Sequence, residues 1–188
     1  YYAMISHVDK RVGNIIQTLK DNGLYENTII IFAGDNGLAV GQHGLMGKQN
    51  VYEHSVGVPL MIKAAAQHTG KKTADLCYLI DVFPTLCDML QLPVPQSVDG
   101  ISLLSSLDGK EPVRDYLYYS YMDNQRGISD GTWKLIEYHV NGKRTTQLFN
   151  LKNDPWERND LSGQKKYEKT IQRLREKMAE EQKRTNDT

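Results

Sequence analysis

A helical pattern that leads directly into a short apolar strand constrains the fold of this chain more than any other feature. Residues 28 to 32 read Thr-Ile-Ile-Ile-Phe, which is typical of a strand buried on both faces. Gly23 predicts the left-handed cap that ends the preceding helix. Helix and buried strand together predict an α/β fold with helices on the faces of a sheet. The apolar residues of the helix recur at the spacing of one helix face: Ile5, Val8, Val12, Ile15, Ile16 and Leu19.

The character of the chain changes after residue 108. Residues 115 to 150 are rich in tyrosine and contain Asp130-Gly131 and Asn141-Gly142, which are typical of two-residue hairpin turns. The last segment is charged, with a narrow apolar stripe typical of an amphipathic helix: Tyr167, Ile171, Leu174 and Met178. We therefore expect residues 1–108 to be the C-terminal part of an α/β domain. Residues 109–188 are expected to form a small α+β subdomain with an antiparallel sheet and a C-terminal helix.

Composition excludes some classes of function. The 188 residues include 23 Lys plus Arg and 23 Asp plus Glu, so the formal net charge is zero, which argues against a general nucleic-acid or membrane-surface role. No apolar run approaches the roughly 20 residues that span a bilayer. Cys77 and Cys87 lie among apolar neighbours and are expected to be buried thiols. Because the chain opens inside a helical pattern without an initiator Met, we expect a fragment of a longer protein.

A glycine-rich loop, residues 34 to 50, carries polar side chains just past the end of the predicted strand. In open α/β sheets, ligand sites collect outside the carboxyl ends of the strands. Asp35 and Asn36 offer the oxygen ligands that suit a hard cation such as Ca²⁺ or Mg²⁺. Lys48 could return across the loop and offer a point charge to an anionic group. Since Asp-Asn-Gly is also a favoured turn sequence, a purely structural role stays open for these residues taken alone.

Five short motifs follow one another between residues 35 and 62: Asp-Asn-Gly, Gly-x-His-Gly, Gly-Lys, Tyr-Glu and Val-Pro-Leu-x-Ile. Their order and spacing resemble the sulfatase family within the alkaline-phosphatase-like superfamily. Further similar segments begin at residues 81 (DVFPTLCDML), 126 (RGISDGTWKLI) and 148 (LFNLKNDPWERNDL). The resemblance covers nearly the whole chain. It implies the C-terminal part of an alkaline-phosphatase-like α/β/α sandwich, followed by the α+β subdomain.

The resemblance also implies roles for individual residues of the loop. Asp35 and Asn36 match the pair that ligates the divalent cation, usually Ca²⁺. Lys48 matches the lysine that contacts the sulfate oxygens and offsets charge as the S–O bond is cleaved, so it is the expected catalytic residue. His43 is expected to bind substrate at the edge of the pocket, and a loop histidine bonded to backbone is the alternative for it.

Other parts of a sulfatase site are missing from this sequence. Family enzymes use a formylglycine made from Cys or Ser in a Cys/Ser-x-Pro-x-Arg motif, and neither Cys77 nor Cys87 stands in one. Calcium takes about 6 to 8 oxygen ligands, whereas Asp35 and Asn36 supply about two or three. We therefore expect the nucleophile and the other ligands upstream, and an inactive chain on its own. A sheet without its leading strands would expose an edge through which the chain could self-associate.

The leading hypothesis is hydrolysis of an organic sulfate ester, with a sulfated small molecule or glycan as the substrate. The first alternative is a phosphonate or phosphate ester hydrolase of the same superfamily, because tetrahedral anions of similar size fit the same metal and lysine. The second alternative is a non-catalytic module that keeps the fold. The family implies a periplasmic or extracellular location.

Four residues outside these roles complete the expectations. Glu53 and His54 follow the loop and are expected to pin it or to open the next short helix. Trp133 lies in the predicted sheet, where core packing is expected rather than stacking on a sugar. Arg126 is expected at the surface, with contact to an acidic sugar as the alternative.

Overall fold

The computed structural model describes residues 1–64 and 70–187. Its helices are α1 (Tyr2–Asp21), α2 (Glu53–Val56), α3 (Val82–Met89), α4 (Leu104–Leu107) and α5 (Glu168–Arg184). Its strands are β1 (Ile30–Ala33), β2 (Ala39–Val40), β3 (Met46–Gly47), β4 (Leu60–Lys63), β5 (Leu117–Tyr121), β6 (Gln125–Ser129), β7 (Trp133–Val140) and β8 (Lys143–Asn150). Within the described ranges, no helix is long and apolar enough to cross a membrane.

The chain forms two compact units. One consists of Tyr1–Ala33 with Leu60–Lys72, and the other of Gly34–Pro59 with Thr73–Thr188. The expected domains, residues 1–108 and 109–188, stay a prediction.

The first unit contains α1 and the strand pair β1–β4. Helix α1 ends as predicted, and Gly23 has a φ of 67°. Strand β1 pairs antiparallel with β4, from Ile30 opposite Lys63 to Ala33 opposite Leu60. The prediction of a fully buried strand is wrong, since the β1 residues are half-buried or exposed. The reason is that, among the described residues, this sheet consists of the two strands alone.

The second unit contains the four-stranded antiparallel sheet β5–β6–β7–β8, with α5 packed against it. The predicted antiparallel sheet and C-terminal helix are therefore confirmed. Asn141-Gly142 forms the β7–β8 turn as predicted, with φ values of 51° and 72°. The β6–β7 turn lies one residue later than predicted: the Asp130 N–H donates to the Trp133 carbonyl at 3.1 Å, and Gly131-Thr132 is the central pair. The Asp130 carboxylate accepts the Trp133 N–H at 2.7 Å and stabilises this register.

Side chains along β7 alternate between the two faces of the sheet, and both faces are covered. On one face, a buried cluster joins the sheet to α5: Ile128, Leu135, Leu148, Ile171, Leu174 and Met178. The last three of these belong to the predicted apolar stripe of α5, which is confirmed at these positions. On the other face Ile136 packs with Val51, Tyr52 and Phe149. The sheet is therefore sandwiched between α5 and the segment that follows the glycine-rich loop.

A buried ion pair stabilises the start of α3. The Asp81 carboxylate is fully buried, accepts the Tyr78 and Ile101 N–H groups at 2.7 and 2.8 Å, and pairs with Arg114. Both cysteines are free thiols: Cys87 is buried as expected, whereas Cys77 is only half-buried. This buried ion pair thus stabilises a part of the second unit that is separate from the glycine-rich loop.

Candidate active site

Strands β2 and β3 fold the glycine-rich loop back on itself. They pair antiparallel with Ala39 opposite Gly47, and Ala39 is 1% exposed. Lys48 follows β3 directly, so this short ribbon returns it to the start of the loop. The Lys48 Nζ donates to Asn36 Oδ1 at 2.6 Å, although the two residues are 12 positions apart. The structure thus brings together two of the predicted site residues.

Asp35 and Asn36 form a polar turn at the start of the loop. The Asp35 Oδ1 accepts the Asn36 N–H at 2.9 Å, and the Asn36 Nδ2 donates to the Gly37 carbonyl at 2.9 Å. This arrangement aims the Asn36 Oδ1 at a positive group, the Lys48 ammonium. An exposed carboxylate and an amide oxygen that faces a cation are hard donors, so the pair fits Ca²⁺ or Mg²⁺. Within residues 1–64 and 70–187, no group of three or more His, Cys, Asp or Glu side chains could hold a metal by itself.

Gly37 anchors this turn to helix α2. Its N–H donates to the Ser55 carbonyl at 2.9 Å. A Cβ at this position would lie 2.0 Å from the His54 carbonyl oxygen, which is far inside van der Waals contact. The glycine of the Asp-Asn-Gly motif is therefore required by close backbone approach.

His43 is held by a ring contact and by a backbone contact. It has a left-handed φ of 54°, its ring stacks on Tyr52 at 4.0 Å with an interplanar angle of 7°, and its Nε2 lies 3.1 Å from the Trp156 carbonyl. The His54 ring lies 5.5 Å from that of His43. Burial lowers the pKa of His54, and the charges of His43 and Lys134 lower it further, so His54 is neutral near pH 7.

Beneath α2 lies a buried cluster of charges. The Lys134 side chain is fully buried, and its Nζ donates to Glu53 Oε1 at 2.7 Å and lies 3.1 Å from Glu157 Oε1. The other Glu157 oxygen accepts the Glu53 N–H at 2.6 Å. Burial raises the pKa of Glu157, while Lys134 and the Glu53 N–H oppose that rise. The expectation that Glu53 opens the next helix is confirmed, because α2 begins at that residue.

Sequence reasoning missed Lys134 and Glu157 and misplaced Arg126. Arg126 is 7% exposed and pairs with Asp187 at 2.7 Å, so the expected surface position is wrong. Trp133 packs in the core as expected, with its ring 5.2 Å from that of Tyr167. A lysine inside the apolar run from 133 to 136 was the signal that could have pointed to a buried cation. The site roles of Asp35, Asn36, His43 and Lys48 stay predictions.

Comparisons with known proteins place the chain in a family. The family described as "N-sulphoglucosamine sulphohydrolase, C-terminal" matches residues 41–184. N-acetylglucosamine-6-O-sulfatase of Bacteroides thetaiotaomicron is 30% identical over 200 residues, which cover 100% of this chain and 36% of that protein. A solved protein in complex with its substrate D-glucosamine-2-N,6-O-disulfate is 28% identical with a TM-score of 0.81, over 100% of this chain and 40% of that one. Phosphonate monoester hydrolase of Agrobacterium radiobacter is also 28% identical with a TM-score of 0.81, over 96% of this chain and 40% of that one.

The chain thus spans between 36% and 40% of the length of these three proteins. The expected fold class, a mixed α/β fold of the alkaline-phosphatase-like type, is confirmed by the solved structures. Sulfatase relatives imply a divalent metal for the complete site. The chain belongs to the sulfatase family and corresponds to the C-terminal portion of its members.

Proposed function

We propose that the chain is part of an enzyme that hydrolyses organic sulfate esters, with sulfated sugars as the substrate class. The observation that carries the proposal is the 2.6 Å contact between Lys48 Nζ and Asn36 Oδ1, beside the exposed Asp35 carboxylate. Two hard oxygen donors in one turn, with an ammonium in contact with one of them, suit an anion that is shared between a metal and a lysine. The names of the relatives, a glucosamine 6-O-sulfatase and a complex with a glucosamine disulfate, support a sulfated sugar.

In this proposal Asp35 and Asn36 hold the divalent cation, which we take to be Ca²⁺. When bound, the cation supplies positive charge that polarises the sulfate oxygens. Lys48 binds a sulfate oxygen and offsets the negative charge that develops as the S–O bond breaks. His43 contacts the sugar through Nδ1, since its Nε2 faces the Trp156 carbonyl.

The remaining parts of the site come from elsewhere in the complete protein. No Cys/Ser-x-Pro-x-Arg motif stands in this sequence, so the formylglycine nucleophile of the family is assigned to another segment. The chain alone is accordingly proposed to be inactive. A periplasmic or extracellular location is proposed from the family resemblance, and self-association of the isolated chain is proposed from its exposed apolar residues.

A second candidate function is hydrolysis of phosphonate or phosphate esters. The similarity to a phosphonate monoester hydrolase favours it, because the chain matches that enzyme as well as it matches the sulfated-sugar complex. The third reading, a non-catalytic module, is disfavoured because the chain has Asp35, Asn36 and Lys48 together, with Lys48 in contact with Asn36.

The first test compares aryl sulfate, aryl phosphate and aryl phosphonate hydrolysis by the complete protein that carries this chain. We expect selective sulfate turnover, loss of turnover with a chelator and recovery with added Ca²⁺. Lys48→Ala should lower kcat by about 100-fold or more, because a charge-stabilising donor is lost at the reacting group. Lys143→Ala removes an exposed lysine of β8 and should leave the rate unchanged.

The possible outcomes separate the three readings. Selective phosphate or phosphonate turnover moves the assignment to the second candidate. If the complete protein with a matured formylglycine turns over neither these esters nor glucosamine 6-sulfate, the non-catalytic module is the better assignment.

A further inference from the structure

A charge cluster, formed by Lys134, Glu53 and Glu157, is linked to the loop of the candidate site through helix α2 and through the turn that contains Glu157. We infer that this cluster positions the loop of Asp35, Asn36 and Lys48 for metal and sulfate binding. The inference rests on the proposed function for what the loop binds.

The cluster joins three separate parts of the second unit. Lys134 belongs to strand β7, Glu53 is the first residue of α2, and Glu157 lies in the turn after β8. The ammonium is fully buried and contacts both carboxylates at 2.7 and 3.1 Å. It also lies 5.0 Å from the centre of the Tyr119 ring, which adds a cation–π contact. A buried charge with this many partners fixes the direction of the segments that carry them.

The first connection to the loop runs through α2. Glu157 accepts the N–H of Glu53, the first residue of that helix, at 2.6 Å. One and two residues further along α2 are His54 and Ser55. The Gly37 N–H donates to the Ser55 carbonyl at 2.9 Å, and the Gly37 backbone lies against the His54 carbonyl. Gly37 follows Asn36 directly in the chain. A shift of α2 is therefore transmitted to the Asp35-Asn36 turn through backbone contacts.

The second connection runs through the turn that contains Glu157. The carbonyl of the preceding residue, Trp156, lies 3.1 Å from the His43 Nε2. His43 stands between β2 and β3, the ribbon that returns Lys48 to Asn36. Glu157 itself has a left-handed φ of 54°, which a glutamate rarely adopts unless its side-chain contacts stabilise it. The cluster is thus connected to the start of the loop at Gly37 and to its middle at His43.

Removal of the single cation has a defined electrostatic consequence. Without Lys134, the carboxylates of Glu53 and Glu157 remain close together with no ammonium between them. Two neighbouring carboxylates in a buried site repel each other and separate or take up a proton. Either change moves α2 and the 156–157 turn relative to β7, and the loop loses its two attachments.

The experiment uses Lys134→Met in the complete protein, which keeps an unbranched side chain one atom shorter than lysine and removes the charge. We expect the Kd for Ca²⁺, measured by titration calorimetry, to rise by about tenfold or more, as for loss of other partners that orient metal ligands. Hydrogen exchange should become faster in peptides that cover residues 35–50. Glu157→Gln is the milder variant, since its amide oxygen still accepts the Glu53 N–H, and we expect a smaller change in the same direction.

Arg114→Met is the matched control because it breaks another buried ion pair of the same unit. Its partners are Asp81 and the Tyr78 ring rather than the loop. We expect it to lower the Tm as Lys134→Met does, with an unchanged Kd for Ca²⁺ and unchanged exchange in residues 35–50. Equal effects of Arg114→Met and Lys134→Met on the Kd and on exchange would overturn the inference, as would wild-type values for both readouts in Glu157→Gln and Lys134→Met.

The two readouts separate failure of this inference from failure of the proposed function. If the wild-type protein binds no Ca²⁺ and turns over no sulfate ester, the proposed function is wrong. The inferred role of the charge cluster in metal binding is then wrong as well. Hydrogen exchange then decides the remaining part. Faster exchange of the loop in Lys134→Met, but not in Arg114→Met, supports positioning of the loop by the cluster whatever the loop binds.

Discussion

At the scale of single residues, Gly37 connects the predicted metal ligands to the rest of the second unit. Gly37 lies close to the His54 carbonyl, and its N–H donates a hydrogen bond to the Ser55 carbonyl. Neither contact depends on a left-handed backbone, so the requirement for glycine comes from space rather than from dihedral freedom. The third residue of the Asp-Asn-Gly motif is thus constrained by its packing against α2.

Gly37→Ala should destabilise the complete protein by about 1 to 3 kcal/mol, since the new methyl group forces the backbone of α2 away from the loop. The measurement is urea unfolding at neutral pH. Gly163→Ala is the control, because a Cβ there would meet nothing within 4 Å. Equal unfolding midpoints for the two variants would contradict the prediction, because they would show that the His54 carbonyl moves aside without loss of stability.

At the scale of secondary-structure elements, one carboxylate links α5 to the sheet. Glu137 of β7 is fully buried and accepts hydrogen bonds from Arg144, Thr146 and Arg175 at 2.8, 2.9 and 2.7 Å. Burial alone would raise the pKa of Glu137, but these three hydrogen bonds together outweigh it and the pKa is lowered. Ionised Glu137 therefore contributes to the packing of α5 on β7 and β8.

A lowered pKa in the folded state defines how this contribution varies with pH. It is present above the unfolded pKa of about 4.3 and is lost as the pH falls through the folded value. Glu137→Gln should therefore be less stable than wild type at about pH 7, with a difference that shrinks towards about pH 3. The free energy of unfolding in urea, measured across this range, checks the prediction. A constant difference between the two proteins at every pH would contradict it.

At the scale of the whole molecule, the chain exposes apolar side chains that a folded domain usually covers. Helix α1 has no buried residue, and Ile5, Val8 and Ile15 are 49%, 51% and 62% exposed. Val8 and Ile15 are seven positions apart and so lie on one face of the helix. Contiguous exposed apolar surface of this kind promotes association in water.

We expect the 188-residue chain on its own to self-associate in a concentration-dependent way. The double substitution Val8→Lys with Ile15→Lys should reduce the association, because it places two charges on the apolar face of α1. His7→Lys with Asn14→Lys adds the same charges at neighbouring exposed positions and should have little effect. Sedimentation velocity at several concentrations distinguishes the variants. A monomeric wild-type chain at all concentrations would rule out this association.

Much of the fold follows from local patterns in the sequence. The spacing of apolar residues in α1 and α5, the Asn141-Gly142 turn and the antiparallel sheet were all predictable, because helix period, strand alternation and turn chemistry act over a few residues. The motif order in the loop also predicted its proposed role. The β6–β7 turn was misplaced by one residue, since the Asp130 side chain favours a register that the dipeptide alone does not encode.

By itself, the sequence determined most of the elements, the family and the residues that are proposed to carry the loop's chemistry. Only the tertiary structure decided which distant groups share a buried site. Lys134 meets Glu53 across 81 positions, and Glu157 meets the Glu53 N–H across 104. Arg126 likewise becomes a buried partner of Asp187 only once α5 has packed on the sheet. Such pairs depend on long-range packing, because charges are desolvated and matched only where the folded chain brings them together.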